Sequence, residues 1–393
     1  MTKSSIGVAV IGAGMAGRAH ASGYRCAPAV FSTDLPDVRL VAIADAYEPF
    51  AVDVARRYGY QRAETNWQAI AEADDIDAVS VVVANELHRE IVEALLEAGK
   101  HVLCEKPLAP SVADGQAMVD RAEKSDRVAA VGFTFRRSPA ISAIRLQVTD
   151  GVLGPVVHFN GHYWCDYGFD PDAPMSWRYK GGPGSGALAD IGTHLVDVGE
   201  FLCGPMESVR GTILSTMIRD RPLPLAAAVG HAAGVPVSDV REPVENEDIV
   251  TFTATFAGGA TGTFSASRIA YGMPNALGFE VFCEGGAAAF DLARLAEFTI
   301  ADAAPAGPVN GYRRVLVGPA HPYITRGIPM DFPSVGHGQN EFFTFQARAF
   351  LDEIAGLDWL PRCPSLADGL HNLRILDAVV ASAHADGQAV RVQ

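Results

Sequence analysis

Short runs of β-branched and small apolar residues alternate with amphipathic stretches through the first third of the chain. Ile6–Ile11, Arg39–Ala44, Ala78–Val83, His101–Cys104 and Val128–Val131 read as strands. Arg18 to about Cys26, Ala46–Tyr58, Asn66–Ala71, His88–Ala98 and Ser111–Lys124 read as helices. Strands that are apolar on both faces and joined by helices predict a doubly wound parallel sheet covered on both sides. A domain over residues 1–131 is expected.

The pattern changes near Gly132. Val156–Trp164, Ser208–Met217, Asp248–Phe256, Ala260–Arg268, Gly278–Glu284 and Ala287–Asp291 read as strands, with tight hairpins at Ala257-Gly258-Gly259 and Glu284-Gly285-Gly286. Val250, Phe252, Ala254 and Phe256 alternate with Thr251, Thr253 and Thr255. That period suits an antiparallel sheet with two unlike faces. Helices near Ala187–Phe201, Asn340–Ala355 and Leu366–Ala383 are expected to cover one face. Pro222–Arg241, rich in Pro, Ala and Gly, reads as a long surface excursion. Residues 132–393 are therefore expected to form an α+β domain around a large, mainly antiparallel open sheet.

A hydrophobic content of 49% with 20% charged residues is that of a globular protein. The net charge of −15 and the lack of a basic block argue against a nucleic-acid partner. No run of about 18 apolar residues exists and no leader pattern follows Met1, so no membrane span and a cytoplasmic location are expected. The six cysteines form no CxxC pair and read as free thiols. The histidines have no metal-ligand spacing, so no metal is expected.

Gly12-Ala-Gly14-Met15-Ala16-Gly17 follows a strand and opens a helix, the setting in which a GxGxxG run signals a Rossmann dinucleotide site. Gly12 permits the tight turn, Gly14 lets the backbone approach a pyrophosphate, and Gly17 lets helix and strand pack closely. The helix N-terminus offers free N–H groups to the phosphates. Asp45 ends the second strand, where an acid accepts from both ribose hydroxyls and repels a 2′-phosphate. It lies further from Gly17 than the roughly 20 residues usual, which reads as a loop inserted around Pro28–Asp37. No Arg or Lys follows at 46 or 47, so NAD is favoured over NADP. Asp45 could also serve simply as a helix N-cap.

Three further runs join the glycine loop: Asn85-Glu-Leu-His88, Glu105-Lys106-Pro107, and Gly186-Ala-Leu-Ala-Asp190-Ile-Gly192-Thr-His194. With Pro364-Ser-Leu-Ala-Asp-Gly369 they make the chain resemble the Gfo/Idh/MocA family of sugar and inositol dehydrogenases over nearly its whole length. The resemblance implies that Asn85 and His88 stand along the path from adenosine to nicotinamide. It implies that Glu105 and Lys106 flank the nicotinamide, with a cis bond before Pro107. It also implies a homodimer or homotetramer formed through the second domain's sheet.

Oxidising a secondary alcohol requires hydride transfer to nicotinamide and proton transfer to a base. Histidine suits the second task. Asp190 and His194, four apart on a predicted helix, share one face. His194 is assigned as general base, Asp190 as ligand of a neighbouring substrate hydroxyl, and Lys106 as holder of the reacting oxygen. How the proton is shared between Lys106 and His194 stays open. Arg136, Tyr163, Asp166, Trp177 and Arg178 are candidate substrate contacts, each equally readable as packing or surface charge. Asp197 reads as an orienting or solvated residue. The expected activity is NAD-dependent oxidation of a cyclic polyol, meaning an inositol, a monosaccharide or an anhydrosugar. Two alternatives are an NAD-retaining glycoside-cleaving enzyme and a non-catalytic cofactor-sensing regulator.

Overall fold

The structure is a computed structural model of the 393-residue chain, describing residues 5–31, 34–226, 235–302, 310–325, 328–330, 332 and 335–393. It divides into two compact units, Met1–Pro139 with Gly318–Leu373, and Ala140–Val317 with Arg374–Gln393.

The first unit alternates strand and helix as the hydrophobic pattern predicts, with one short strand, β3, that the pattern does not: β1 (Ser5–Ile11), α1 (Met15–Val30), β2 (Asp37–Ala44), α2 (Glu48–Tyr58), β3 (Arg62–Glu64), α3 (Gln68–Glu72), β4 (Ala78–Val81), α4 (His88–Glu97), β5 (His101–Cys104), α5 (Val112–Glu123) and β6 (Ala129–Val131). The strands form one parallel sheet in the order β3-β2-β1-β4-β5-β6. This is the doubly wound Rossmann order, which changes direction at β1. Its core joins Ala9, Val79, Val81 and Val102 of the strands to Ile91, Leu95 and Met118 of the helices. Burying the valine, isoleucine, leucine and methionine side chains stabilises by about 1.5–3 kcal/mol each.

α1 is longer than expected. It continues past Cys26 to Val30 with Pro28 inside it. Its buried stripe, Gly17, His20, Ala21, Tyr24 and Ala27, keeps helical spacing to that point. The first three residues of the segment read as an inserted loop, Pro28–Val30, are therefore helix; Ser32 and Thr33 of that segment lie outside the described residues.

The second unit opens with α6 (Pro139–Thr149) and continues through β7 (Val156–Trp164), α7 (Thr193–Cys203), β8 (Met206–Ser215), β9 (Asp220–Pro224), β10 (Val237–Pro243), β11 (Ile249–Phe256), β12 (Thr261–Ser267), β13 (Ala276–Cys283), β14 (Gly286–Asp291), β15 (Glu297–Asp302) and β16 (Arg313–Leu316). Nine strands form one sheet in the order β16-β15-β14-β13-β7-β12-β11-β8-β17, where β17 is Val390–Arg391. Every pairing is antiparallel except β7 with β12. Both hairpins read from glycine pairs are present. In β11, Val250, Phe252, Ala254 and Phe256 are buried, and the Phe252 and Phe264 rings stack at 4.8 Å. α7 covers this face: a methyl group on Gly199 would meet the Phe264 ring at 2.9 Å. The region read as a surface excursion is partly ordered, because β9 and β10 pair as a two-stranded ribbon; residues 227–234 lie outside the described set.

Two helices follow, α8 (Gln339–Ala355) and α9 (Leu366–His384). The single cut expected at 131/132 and the sheet-covering role expected of α8 both differ from the structure. α8 packs against α1 in the first unit, with Phe345 edge-on to Phe31 at 6.0 Å and Gly23 allowing close approach to the Phe343 carbonyl. Its buried face is aromatic and matches the stripe on α1, which a linear division of the chain cannot reveal.

Candidate active site

Parallel strands put every strand end on one edge of the sheet. That edge carries the glycine loop after β1, Asp45 after β2, Val82–Asn85 after β4 and Glu105-Lys106 after β5. The three loop glycines are needed for three different reasons. Gly12 has φ +100°, and a Cβ there would lie 2.0 Å from the Val82 carbonyl oxygen. A Cβ on Gly17 would lie 1.9 Å from the Gly12 oxygen. A Cβ on Gly14 would meet nothing within 4 Å. The protein leaves that space open, at the N-terminus of α1, where no side chain caps the helix. Free N–H groups facing open space fit a dinucleotide pyrophosphate. Met15 is exposed beside this space and Ala16 half-buried.

Asp45 is held rather than free to cap α2, which begins at Glu48. One carboxylate oxygen accepts from the Ala13 amide at 2.7 Å and the other from the Tyr47 amide at 2.8 Å. The acid is thereby tied to the glycine loop, with lone pairs left for a ribose.

His88 corrects the sequence reading. It is fully buried, with Nδ1 3.2 Å from the carbonyl oxygens of Pro107 and Leu108 and Nε2 3.2 Å from that of Val83. Burial lowers its pKa although these carbonyls oppose the shift. It links the segment after β4 to the Lys106-Pro107 turn, whose peptide is cis, and presents no edge to a ligand. Asn85 is half-buried in a 3-10 turn, Asn85–Leu87.

Glu105 is buried, and its partners were not anticipated. Oε1 lies 2.8 Å from His20 Nε2, and Oε2 accepts from the Lys106 amide at 3.2 Å. Burial acts to raise its pKa, but the His20 hydrogen bond and neighbouring positive charge, Lys106 included, outweigh that and hold the carboxyl low. Arg136 also belongs to this unit, over the Phe133 ring at 5.6 Å and 3.8 Å from Asp368.

In the second unit a π-type turn, Leu188–Gly192, leads directly into α7. π-turns inside helices recur at functional sites. Glu247 fixes this entry, its two oxygens accepting from Gly184 at 2.7 Å and Leu188 at 2.9 Å. Burial raises the Glu247 pKa against the opposing pull of these amides. Asp190 sits on the π-turn and His194 in the first turn of α7. Tyr167 donates to Asp190 Oδ2 at 2.5 Å. Burial, then the Asp190 charge, drives the Tyr167 pKa well up, so the phenol stays a donor. Tyr163 is buried, donates to Asn275 at 2.9 Å and has its ring 6.1 Å from that of His194. Tyr167 was missed because nothing in its neighbourhood marks it; only folding sets it against Asp190. Asp197 is buried, not solvated.

Trp177 is 53% exposed and the Arg178 guanidinium stacks on its ring at 4.4 Å. Their turn is anchored from below. Arg268 pairs with Asp248 at 2.9 Å, both buried, and donates to the Arg178 carbonyl at 3.0 Å. Tyr179 lies between the guanidinium groups of Arg221 and Arg268, at 4.0 and 4.7 Å. The result is an exposed, flat aromatic face with a half-buried cation stacked on it, on a rigid base. Asp166 is half-buried. Among the described residues no group of three or more His, Cys, Asp or Glu could hold a metal ion, and no helix is long and apolar enough to cross a membrane.

Residues 6–133 match the oxidoreductase family with an NAD-binding Rossmann fold, and residues 141–289 match the C-terminal domain of the same Gfo/Idh/MocA group. The chain belongs to the Gfo/Idh/MocA family. It is 37% identical over 384 residues to levoglucosan dehydrogenase of Pseudarthrobacter phenanthrenivorans, covering 96% of both chains. It is 28% identical to inositol 2-dehydrogenase of Rhizobium meliloti over 95% of both. A solved levoglucosan dehydrogenase in complex with NADH and L-sorbose superposes with a TM-score of 0.89 at 34% identity, over 99% of each chain. This Gfo/Idh/MocA protein is thus an NAD-binding oxidoreductase of a family whose named relatives are dehydrogenases and reductases.

Proposed function

We propose that the protein oxidises a secondary hydroxyl of a cyclic sugar or polyol, with an anhydrosugar first among the candidates, by hydride transfer to NAD. The full-length likeness to levoglucosan dehydrogenase carries this reading. Bound at the glycine loop, the cofactor supplies the hydride acceptor. His194 takes the hydroxyl proton as general base, since imidazole titrates near the operating pH. Asp190, fixed by Tyr167, accepts from a neighbouring hydroxyl. Lys106 holds the reacting oxygen and stabilises the developing alkoxide. Trp177 offers a sugar ring an apolar face and Arg178 a donor fork. Asp45 favours NAD over NADP.

The test is an NAD+ reduction screen over levoglucosan, glucosides, free aldoses and inositols. NADH formation with an anhydrosugar at the highest kcat/KM is expected. Turnover confined to inositols would move the substrate class, and none with any polyol would end the proposal.

We also propose self-association through the open face of the nine-stranded sheet. Phe282 stacked on His158, Trp164 stacked on His162, and Ile213 lie there beside the β11 threonines. Apolar rings and aliphatic side chains on one open face favour association. A monomeric mass by light scattering at micromolar concentration would refute it.

A further inference from the structure

Four polar side chains that the proposed mechanism does not use form one buried chain beneath the glycine loop. Tyr24 Oη lies 2.8 Å from Ser80 Oγ, Ser80 Oγ lies 3.0 Å from His20 Nδ1, and His20 Nε2 lies 2.8 Å from Glu105 Oε1. All four residues are between 0% and 9% exposed. His20 and Tyr24 come from successive turns of α1, Ser80 from β4, and Glu105 from the end of β5. The Phe343 ring of α8 closes the remaining side of His20, edge-on at 5.3 Å. Gly132 leaves room for the carboxylate, since a Cβ there would come within 2.6 Å of Oε1.

Of the neutral tautomers of His20, one gives every group a partner. Tyr24 donates to Ser80, Ser80 donates to Nδ1 of a neutral His20, and Nε2–H donates to an ionised Glu105. The other neutral tautomer would set a bare Nε2 against a carboxylate oxygen and would require Glu105 to carry the proton. The Lys106 amide donating to Oε2 favours the ionised form as well.

The topology says which part of the cofactor meets this carboxylate. The pyrophosphate belongs at the β1–α1 loop, and Asp45 directs the adenosine ribose over β2. The nicotinamide half then runs the other way, over β4 and β5. Glu105 ends β5, two strands from β1 and about 10 Å across the sheet.

We infer that His20 is a positioning residue which keeps Glu105 anionic beneath the nicotinamide end, so that the site favours the cationic NAD+ ring over the neutral NADH ring. This rests on the NAD reading above. The relay sets the redox preference of the cofactor site without touching substrate.

The test is the ratio of Kd for NADH to Kd for NAD+, titrated calorimetrically in wild type and variants, with folding checked by thermal melts. Glu105→Gln removes the charge at constant shape and His20→Phe removes the Nε2–H donor. Each is expected to lower the ratio by about three- to tenfold through loss of NAD+ affinity, the size of a single charge acting at this range in a partly screened site. The double variant is expected to add nothing to either single change. His20→Gln, whose amide can donate in place of Nε2–H, is expected to restore the ratio. An unchanged ratio in Glu105→Gln or His20→Phe overturns the inference, as does a parallel fall in both affinities. Should His20→Phe fail to fold, the Glu105→Gln and His20→Gln ratios decide it. Nitrogen NMR of the cofactor-free protein gives an independent readout: a neutral Nε2–H His20 is expected, and an imidazolium, which would cancel the Glu105 charge, overturns the inference. If wild type binds neither form of the cofactor, the NAD reading itself has failed, while the NMR signature still reports on the relay.

Discussion

The phenol of Tyr167 donates a 2.5 Å hydrogen bond to the carboxylate of Asp190, four residues before His194. A hydrogen bond to a charged group contributes about 1.5–3 kcal/mol, more than most neutral ones. Tyr167→Phe is therefore expected to fold and to lose about 10- to 100-fold in kcat/KM for the polyol, with cofactor affinity unchanged. Steady-state kinetics and NADH titration check this. Wild-type kcat/KM in the variant would remove Asp190 orientation from the account.

His194→Ala removes the assigned base. A drop of about 100- to 10,000-fold in kcat is expected, with NAD+ binding retained. Partial rescue by added imidazole would strengthen the assignment, and a full rate without it would refute it.

The glycine loop separates two kinds of requirement. Gly12→Ala and Gly17→Ala drive a Cβ into backbone oxygens at 2.0 and 1.9 Å and are expected to lower the melting temperature of the cofactor-free protein. Gly14→Ala meets open space. It is expected to melt normally and to bind NAD+ at least tenfold more weakly, because its methyl occupies the place of the phosphates. Equal melting losses in all three would contradict a ligand-imposed Gly14.

Asp45→Ala takes away the acceptor for the Ala13 amide as well as the ribose acid. NAD+ affinity is expected to fall by about tenfold and the preference over NADP+ to narrow. Competition binding of the two cofactors measures both. An unchanged preference would assign Asp45 to loop structure alone.

His321 makes a separate prediction about acid stability. Burial, then the nearby charge of His337, pushes its pKa down to about 4 from 6.5. The unfolded chain therefore binds this proton more readily than the folded one. Stability is full above about pH 6.5 and is lost as pH falls toward 4, by on the order of 3 kcal/mol. Urea midpoints at pH 7 and pH 4.5 should differ less in His321→Leu than in wild type. An identical difference would show that other groups carry the acid sensitivity.

Hydrophobic periodicity made five of the six parallel strands legible, because strands buried on both faces are apolar at nearly every position; the polar, half-buried edge strand β3 (Arg62–Glu64) carries no such signal. The glycine loop that opens an NAD-binding Rossmann domain was legible too, since it is a local run between a strand and a helix whose chemistry depends on near neighbours. His88 was misread for the same reason: its position in a motif is local, but its three carbonyl partners come from two separate segments. The extension of α1 past Pro28 was hidden by a residue that ordinarily ends helices.

By itself the sequence determined most of the buried strands and helices, where a dinucleotide can dock, and which residue types could move a proton, because all of these depend on spacing along the chain. Tertiary structure alone decided that α8 packs on α1, that Tyr167 fixes Asp190, and that Tyr24, Ser80, His20 and Glu105 join into one buried chain. Those partners are up to 85 residues apart in sequence, and only the packing of helices onto the sheet brings their polar atoms within hydrogen-bonding distance.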